Sequence, residues 1–216
     1  MQALLRPPAD PSTALDAGHL AERFGLFMII LLGEIVVSVG GAAIETPGRT
    51  SRYWAGLVAG LVLAAALWWA YFTVAAEINE HVLRVSGGNP ALAYGLYAAG
   101  HIPPAFGLLS VAAGVALSLV DDPPRAVPWL VAGGMALFLA GSRAIVVFGR
   151  RRGRLLQPLV LAGTVCLGLL GRWLGASGLL VVAAAWAVGV GALASLQGPA
   201  FLRRIIEDPM ELFRSR

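Results

Sequence analysis

Six long apolar runs, separated by short polar segments, dominate the hydropathy pattern of this chain. A membrane-spanning helix needs about 20 mostly apolar residues at a rise of 1.5 Å each, and each run is close to that length or exceeds it. The connections are short, so neighbouring helices are expected to pack antiparallel. The pattern predicts an all-α polytopic transmembrane bundle of about six helices, at residues 24–44, 54–76, 91–120, 127–148, 155–174 and 179–196.

Residues that cap or interrupt helices lie between these runs. Asn89 and Pro90 predict an N-cap and a first-turn proline for the third helix. Pro128 and Pro158 lie in the opening turns of the fourth and fifth helices. The segment 121–124, Asp-Asp-Pro-Pro, cannot continue a helix and predicts a turn.

Glycine pairs at helix-packing spacing occur within the second run and at the end of the fifth. Gly56 and Gly60 form one G-x-x-x-G pair, and Gly171 and Gly175 form another. Small residues let helix backbones approach closely in a membrane, where hydrophobicity alone does not drive association. These pairs indicate packing surfaces between helices.

The arginine distribution predicts how the bundle is oriented. All sixteen basic residues are arginine, and with six spans twelve of them lie on the side of the two termini and four on the opposite side. The positive-inside rule then places both termini in the cytoplasm. Tryptophan and tyrosine residues, including Trp68, Trp69 and Tyr71, are expected to anchor the helices at the membrane interfaces.

Composition supports the membrane class and excludes several others. Hydrophobic residues make up 58% of the chain and charged residues 13%, with a mean hydropathy of +0.77. Soluble domains are about 45–50% apolar. The net charge of +4 comes from arginines between apolar runs, so the lipid bilayer rather than nucleic acid is the expected partner. Cys166 is the only cysteine, which excludes a disulfide framework.

Motifs of soluble enzymes are absent from the sequence. It contains no H-E-x-x-H, no G-x-S-x-G, no phosphate-binding loop and no dinucleotide fingerprint. We therefore predict no catalytic residues, no metal and no cofactor.

The predicted domain organisation is a central bundle between two cytoplasmic tails. The tails are residues 1–18 and 199–216, and the bundle is residues 19–198. Apolar and charged residues alternate between Phe201 and Phe213. Two interpretations of this stretch remain open: a short amphipathic helix on the inner leaflet and a frayed charged tail.

Polar residues at membrane depth are the candidate functional groups. An ionised carboxylate at the bilayer centre costs at least about 2.5–3.5 kcal/mol. Glu34 lies ten residues into the first run, about 15 Å deep, and Ser38 follows one turn later. His101 lies ten residues into the third run, at a matching depth. Pro103 and Pro104 predict a kink beside it that frees the carbonyls of the preceding turn, as in many transporter sites.

Matched depth predicts that Glu34 and His101 meet, directly or through water, in a midplane site. A structural interpretation is also open: a protonated Glu34 and a core His101 that serve helix packing alone. Further polar groups lie near the predicted inner face, and these are His19, Glu22, Arg23 and Arg143. An enzymatic site on the same face would need His19, Glu22, Glu77, Glu80 and His81 to converge.

Three motifs are similar to those of a known membrane family. The stretch His19–Gly40, with its E-R-F-G-L-F core and later L-G-E ending at Glu34, resembles the hallmark segment of the bacterial low-temperature-requirement A family. Trp68, Trp69, Tyr71 and Phe72 resemble a second motif, W-W-x-Y-F-D, although Thr73 stands where the acid is expected. The spacing of Tyr97, His101 and Pro103 resembles a third.

The resemblance implies a multi-pass protein of the bacterial inner membrane. It points to Glu22, Arg23, Glu34, Tyr97 and His101, and it supplies no reaction. It covers the C-terminal part of longer family members, so another membrane subunit or a second copy of this chain is an expected partner. The leading hypothesis is a proton- or cation-coupled transporter or channel component of unknown substrate. The alternatives are a structural or regulatory membrane protein and a membrane enzyme acting on a lipid-borne substrate.

Overall fold

Five helices form most of the part of the chain that the structure describes. The computed structural model describes residue 8 and residues 10–45, 50–142 and 153–207. Every regular element in these ranges is helical, which confirms the predicted all-α class. A short 3₁₀ turn, Pro11–Thr13, precedes the helices. These are α1 (Ala17–Glu45), α2 (Ser51–Val85), α3 (Pro90–Ser118), α4 (Val127–Gly141) and α5 (Gly153–Glu207).

The last helix, α5, is broken at Gly175 and folds back on itself. Gly175 has a φ of 70°, a left-handed conformation that glycine adopts without steric cost. The Trp186 indole donates a hydrogen bond of 2.9 Å to the Thr164 hydroxyl, which brings the two arms side by side. The arms are residues 153–174 and 176–207, and they correspond to the predicted fifth and sixth helices.

Four of the helices, α1, α2, α3 and α5 taken across its break, are long and apolar enough to cross a membrane. The fifth, α4, is a shorter apolar helix of 15 residues. Residues 143–148 of the predicted fourth span lie outside the described ranges, as does Arg143. The second arm of α5 continues to Glu207, so the predicted C-terminal tail begins within this helix.

Close helix contacts hold the bundle together. The backbones of α3 and α4 approach closely at Gly107 and Gly134, where an added Cβ atom would lie 2.6 Å from the carbonyl oxygen of the other glycine. A Cβ atom at Gly60 of α2 would lie 2.8 Å from Val39 of α1 and 3.1 Å from Val115 of α3. The three helices therefore meet at a point where no residue larger than glycine fits without displacing a neighbour. This agrees with the packing role predicted for the first G-x-x-x-G pair.

One end of the bundle is closed by its own apolar cluster, to which Ala17, Leu83, Leu92, Tyr97 and Ala194 belong. The starts of α1 and α3, the end of α2 and the late part of α5 therefore meet there. We call this the Ala17 end. The segment before α1 is linked to the α2–α3 connection at this end, because the backbone N–H of Leu15 donates a hydrogen bond of 2.9 Å to the Gly88 carbonyl.

Helix α1 begins seven residues earlier than the predicted first span. The Asp16 carboxylate accepts a hydrogen bond of 3.0 Å from the backbone N–H of His19, which caps the first turn. His19, Glu22 and Arg23 consequently lie on the helix itself. Because of this earlier start, each later residue of α1 lies about 10 Å further from the beginning of the helix than a count from Phe24 predicts.

The predicted cap of α3 is confirmed and gives a first testable expectation. The Asn89 side chain accepts hydrogen bonds from the backbone N–H groups of Ala91, at 3.0 Å, and Leu92, at 3.3 Å. Asn89→Ala removes both and is expected to lower stability by about 1 kcal/mol. Thermal unfolding in detergent measures this change. Asn89→Asp, which keeps the acceptor, is the control, and equal melting temperatures for the Ala and Asp variants would contradict the cap.

Candidate functional site

Two π turns lie on neighbouring helices near the Ala17 end. In α2 the turn is Tyr71–Ala75, where the Ala76 N–H bonds to the Tyr71 carbonyl. In α3 it is Tyr94–Ala98, where the Ala99 N–H bonds to the Tyr94 carbonyl. A π turn widens the helix by one residue and is frequent at functional sites. Both turns contribute a tyrosine to the same buried cluster.

His101 is the polar centre of this cluster and is only 3% exposed. Its Nε2 atom lies 2.7 Å from the Tyr71 hydroxyl, and its Nδ1 atom lies 3.1 Å from the Leu96 carbonyl oxygen. A carbonyl can only accept, so Nδ1 carries the hydrogen and donates it. In the neutral ring, Nε2 then accepts from the Tyr71 hydroxyl. Both ring nitrogens are bonded within the protein.

Aromatic rings enclose the imidazole. Tyr97 stacks on it with a centroid distance of 5.7 Å and an interplanar angle of 7°. The Phe24 ring lies 4.8 Å from His101 and 5.3 Å from Tyr97. We call Phe24, Tyr71, Tyr97 and His101 the His101 cluster. Each of the three family-like motifs contributes at least one of its members.

The Tyr97 hydroxyl is buried and has no hydrogen-bond partner among the described residues. An unpaired buried hydroxyl is costly, so this atom is a candidate contact for water or a ligand. Glu80 and Arg84 of α2 form an ion pair with each other. The His101 cluster therefore contains one unsatisfied polar group, on Tyr97, and Tyr97 also belongs to the apolar cluster of the Ala17 end.

The prolines after His101 do not end or divide the helix. Pro103 and Pro104 lie inside the α-helical stretch Ala99–Ser118. The irregular turn lies one turn earlier, so the carbonyl beside the imidazole belongs to Leu96 and not to the predicted turn immediately before the prolines. The π turn ends at Ala98, before the carbonyls of Ala99 and Gly100 that face the two prolines in the helical register.

Glu34 lies outside the cluster, on the exposed surface of α1. No hydrogen bond or ion pair joins it to any residue that the structure describes, so the predicted direct contact with His101 is not formed. Phe24 is the α1 residue beside His101, and Glu34 lies ten residues, or about 15 Å, further along the axis. The early start of α1 explains this difference. Ser38, one turn beyond Glu34, is half-buried.

The predicted inner-face residues that the structure describes lie on the first turns of α1, and those of the enzymatic alternative also include residues near the end of α2. His19, Glu22 and Arg23 are exposed along the first turns of α1, and Glu77 is exposed on α2. The His81 Nε2 atom is buried without a partner among the described residues. Within the same ranges, no group of three or more His, Cys, Asp or Glu residues could hold a metal ion.

The predicted interfacial position of Tyr71, beside Trp68 and Trp69, is wrong. Both tryptophans are exposed, whereas Tyr71 is 2% exposed and among the largest fully buried side chains. The buried stripe of Leu63 and Leu67 continues at four-residue spacing to Tyr71. That spacing is the signal in the sequence that places Tyr71 in the core.

A cavity of about 750 Å³ lies at the opposite end of the bundle. Its lining includes Arg125, Trp129, Arg172 and Gly175, at the start of α4 and the break in α5. Neither Glu34 nor any member of the His101 cluster lines it. This cavity is therefore separate from the candidate site.

Comparison with known proteins assigns the family. Residues 3–193 match the family described as bacterial low temperature requirement A protein (LtrA). The chain belongs to this family. The match to LtrA extends beyond the three motifs and covers all five helices at least in part.

One curated relative of this LtrA protein is the uncharacterized protein RA0937 of Rhizobium meliloti (strain 1021). The two chains are 30% identical over 132 residues. This alignment covers 59% of the chain and 32% of the relative, so the matched region is about a third of the relative's length. No solved structure matches the protein.

Proposed function

We propose that this LtrA-family membrane protein is a component of a proton- or cation-coupled transporter or channel, and that His101 is the group that binds the proton. The observation that carries the proposal is the position of His101. It is buried at the junction of two π turns, with a tyrosine hydroxyl on Nε2 and a carbonyl on Nδ1. Ionisable residues at membrane depth commonly belong to ion or proton pathways.

The proposed topology has six membrane crossings, with both termini on the cytoplasmic side of the bacterial inner membrane. The two arms of α5 supply the fifth and sixth crossings, and the side-by-side packing of Trp186 and Thr164 supports this count. Ala17 and Ala194 share one cluster, so an early and a late segment lie at the same end. The arginine distribution then assigns that end to the cytoplasm.

Proton binding changes the hydrogen bonds around His101 in a defined way. In the neutral ring, Nε2 accepts from Tyr71. A proton arriving at Nε2 turns that nitrogen into a donor, and the Tyr71 hydroxyl must rotate and become the acceptor. The widened turn that begins at Tyr71 gives the local backbone an alternative hydrogen-bond register. The ring of Tyr97 stacks on the imidazole, and its buried, unpaired hydroxyl is available to a water molecule on the proton's path.

Proton flux into reconstituted vesicles tests the proposal. A potassium diffusion potential drives the flux, and a pH-sensitive dye inside the vesicles reports it. We expect His101→Gln to abolish flux and Tyr71→Phe to lower it at least tenfold, about 1.4 kcal/mol in barrier height. The reason is that the first variant removes the proton-binding group and the second removes its hydrogen-bond partner.

Matched controls are available on the surface of the same protein. His19→Gln and Tyr94→Phe make the same chemical changes at exposed positions and should leave flux unchanged. Vesicle content and melting temperature establish that each variant is folded. Wild-type flux in His101→Gln, or no proton or cation flux in the parent protein, would refute the proposal.

A structural or regulatory role is the second candidate, and one observation favours it. Both nitrogens of His101 are satisfied within the protein, as in a core histidine that serves only packing. This role predicts that His101→Gln lowers the melting temperature and that the parent protein carries no flux. The same vesicle measurement therefore separates the two functions.

A further inference from the structure

An apolar stripe on α1 faces away from the bundle and has a carboxylate at its centre. Phe27, Ile30, Glu34, Val37 and Gly41 recur at alternating spacings of four and three residues, and all are exposed. The exposed fraction reaches 71% at Ile30 and 66% at Val37, on either side of Glu34. Such a spacing defines a single line along a helix, the seam of left-handed helix pairs.

The depth of Glu34 makes exposure to lipid unfavourable. It lies near the middle of the 29-residue helix α1, within a stretch long and apolar enough to cross a membrane. A carboxyl group there cannot reach the headgroups as a long arginine side chain can. Polar groups at this depth face a protein partner or a water-filled cavity. Among the residues that the structure describes, none forms a hydrogen bond or ion pair with Glu34, and we look to another molecule for its partner.

The same surface has room for a second helix backbone. Gly33, Gly40 and Gly41 flank or form the stripe, and a Cβ atom added to any of them would meet no heavy atom within 4 Å. The opposite side of α1 packs on α2 and α3. Glycines whose Cβ positions are free of contacts with the described residues permit the close approach of an external helix.

We propose that a second copy of this chain covers the stripe, with the two α1 helices packed in parallel and their Glu34 carboxyls hydrogen-bonded to each other. Copies of one chain share an orientation in the membrane, so a two-fold axis along the membrane normal places both Glu34 residues at the same depth. Such an interface is isologous. A protonated carboxyl both donates and accepts, so it is complementary to its own copy.

The chemistry of the pair follows from its depth. Two carboxylates in contact cannot both be ionised, so the pair retains at least one shared proton. In lipid that hydrogen bond replaces an unsatisfied polar group and holds the helices together. The inference does not depend on transport, because it concerns a surface separate from the His101 cluster.

Subunit counting in lipid vesicles tests the inference. The full chain, with a single fluorophore at its C-terminus, is reconstituted at increasing dilution, and photobleaching steps give the dimer fraction. We expect a dimer whose dissociation constant rises at least tenfold in Glu34→Leu and stays within threefold of the parent in Glu34→Gln. Glutamine keeps a donor and an acceptor, whereas leucine keeps neither.

A second variant separates the interface from the fold. Gly40→Leu places a large side chain where the monomer has open space, so folding is unaffected while the approach of the second α1 is blocked. We expect it to be monomeric and to keep the parent melting temperature. A parent protein that is monomeric at all dilutions, as a surface for a different subunit would give, overturns the inference. An unchanged dimer in either Glu34→Leu or Gly40→Leu also overturns it.

Cross-linking locates the interface independently. In a Cys166→Ala background, Val37→Cys on the stripe should form an intermolecular disulfide, whereas Phe106→Cys, exposed on α3, should not. Copies that meet by random collision would cross-link equally at both positions, and equal yields would overturn the inference.

Discussion

Gly107→Val is expected to destabilise the bundle by about 3 kcal/mol, because it forces two helix backbones apart. A Cβ atom at this position would lie 2.6 Å from the Gly134 carbonyl oxygen and 2.6 Å from the Phe138 backbone nitrogen. These are main-chain atoms of α4, so no side-chain rotation relieves the overlap. The contact is reciprocal, since a Cβ atom at Gly134 would lie 2.6 Å from the Gly107 carbonyl oxygen.

The adjacent glycine on α4 provides the control. A Cβ atom at Gly133 would meet no heavy atom within 4 Å, so Gly133→Val should change stability by no more than about 0.5 kcal/mol. Denaturant unfolding in mixed micelles gives both values for the full chain. A Gly107→Val variant as stable as Gly133→Val would show that α3 and α4 do not pack through this glycine.

Apolar length predicted the helices well because a spanning helix must satisfy all its backbone groups internally. Six predicted runs correspond to α1–α4 and the two arms of α5. Glycine spacing alone does not distinguish a glycine that allows close packing from one that breaks a helix, however. Gly171 packs closely, as its spacing indicates, with a Cβ position 2.7 Å from Pro128, whereas its pair Gly175 provides the positive φ at the break.

The candidate site was only partly predictable, because a count along each run gives depth but not rotation. Tyr97 and His101 lie four residues apart on one helix, so their contact follows from helical spacing. The direction of Glu34 depends on which face of α1 packs inward. Its depth depends on the Asp16 cap that starts the helix early. The buried position of Tyr71 follows from the four-residue spacing that it continues from Leu63 and Leu67, and the neighbouring Trp68 and Trp69 point to the opposite conclusion.

The hydrogen bond between Tyr71 and His101 is expected to produce a large coupling energy in a double-mutant cycle. Tyr71→Phe leaves the buried Nε2 atom without a donor, and His101→Leu leaves the buried Tyr71 hydroxyl without an acceptor. Each change should cost about 1–3 kcal/mol, because an unpaired buried polar group loses its solvation without compensation. The double variant removes both groups, so its cost should fall below the sum of the single costs by at least about 1 kcal/mol.

Unfolding of the four proteins in the same micelles measures this coupling. Tyr94→Phe, which removes an exposed hydroxyl from the same π turn as Tyr97, should cost less than about 0.5 kcal/mol and show no coupling to His101→Leu. Additive costs for Tyr71→Phe and His101→Leu would contradict the bond. A large coupling together with lost proton flux would show that one contact both stabilises the helices and holds the proton. The reason is that the Tyr71 hydroxyl which pairs with neutral His101 is also the group that must turn when the ring is charged.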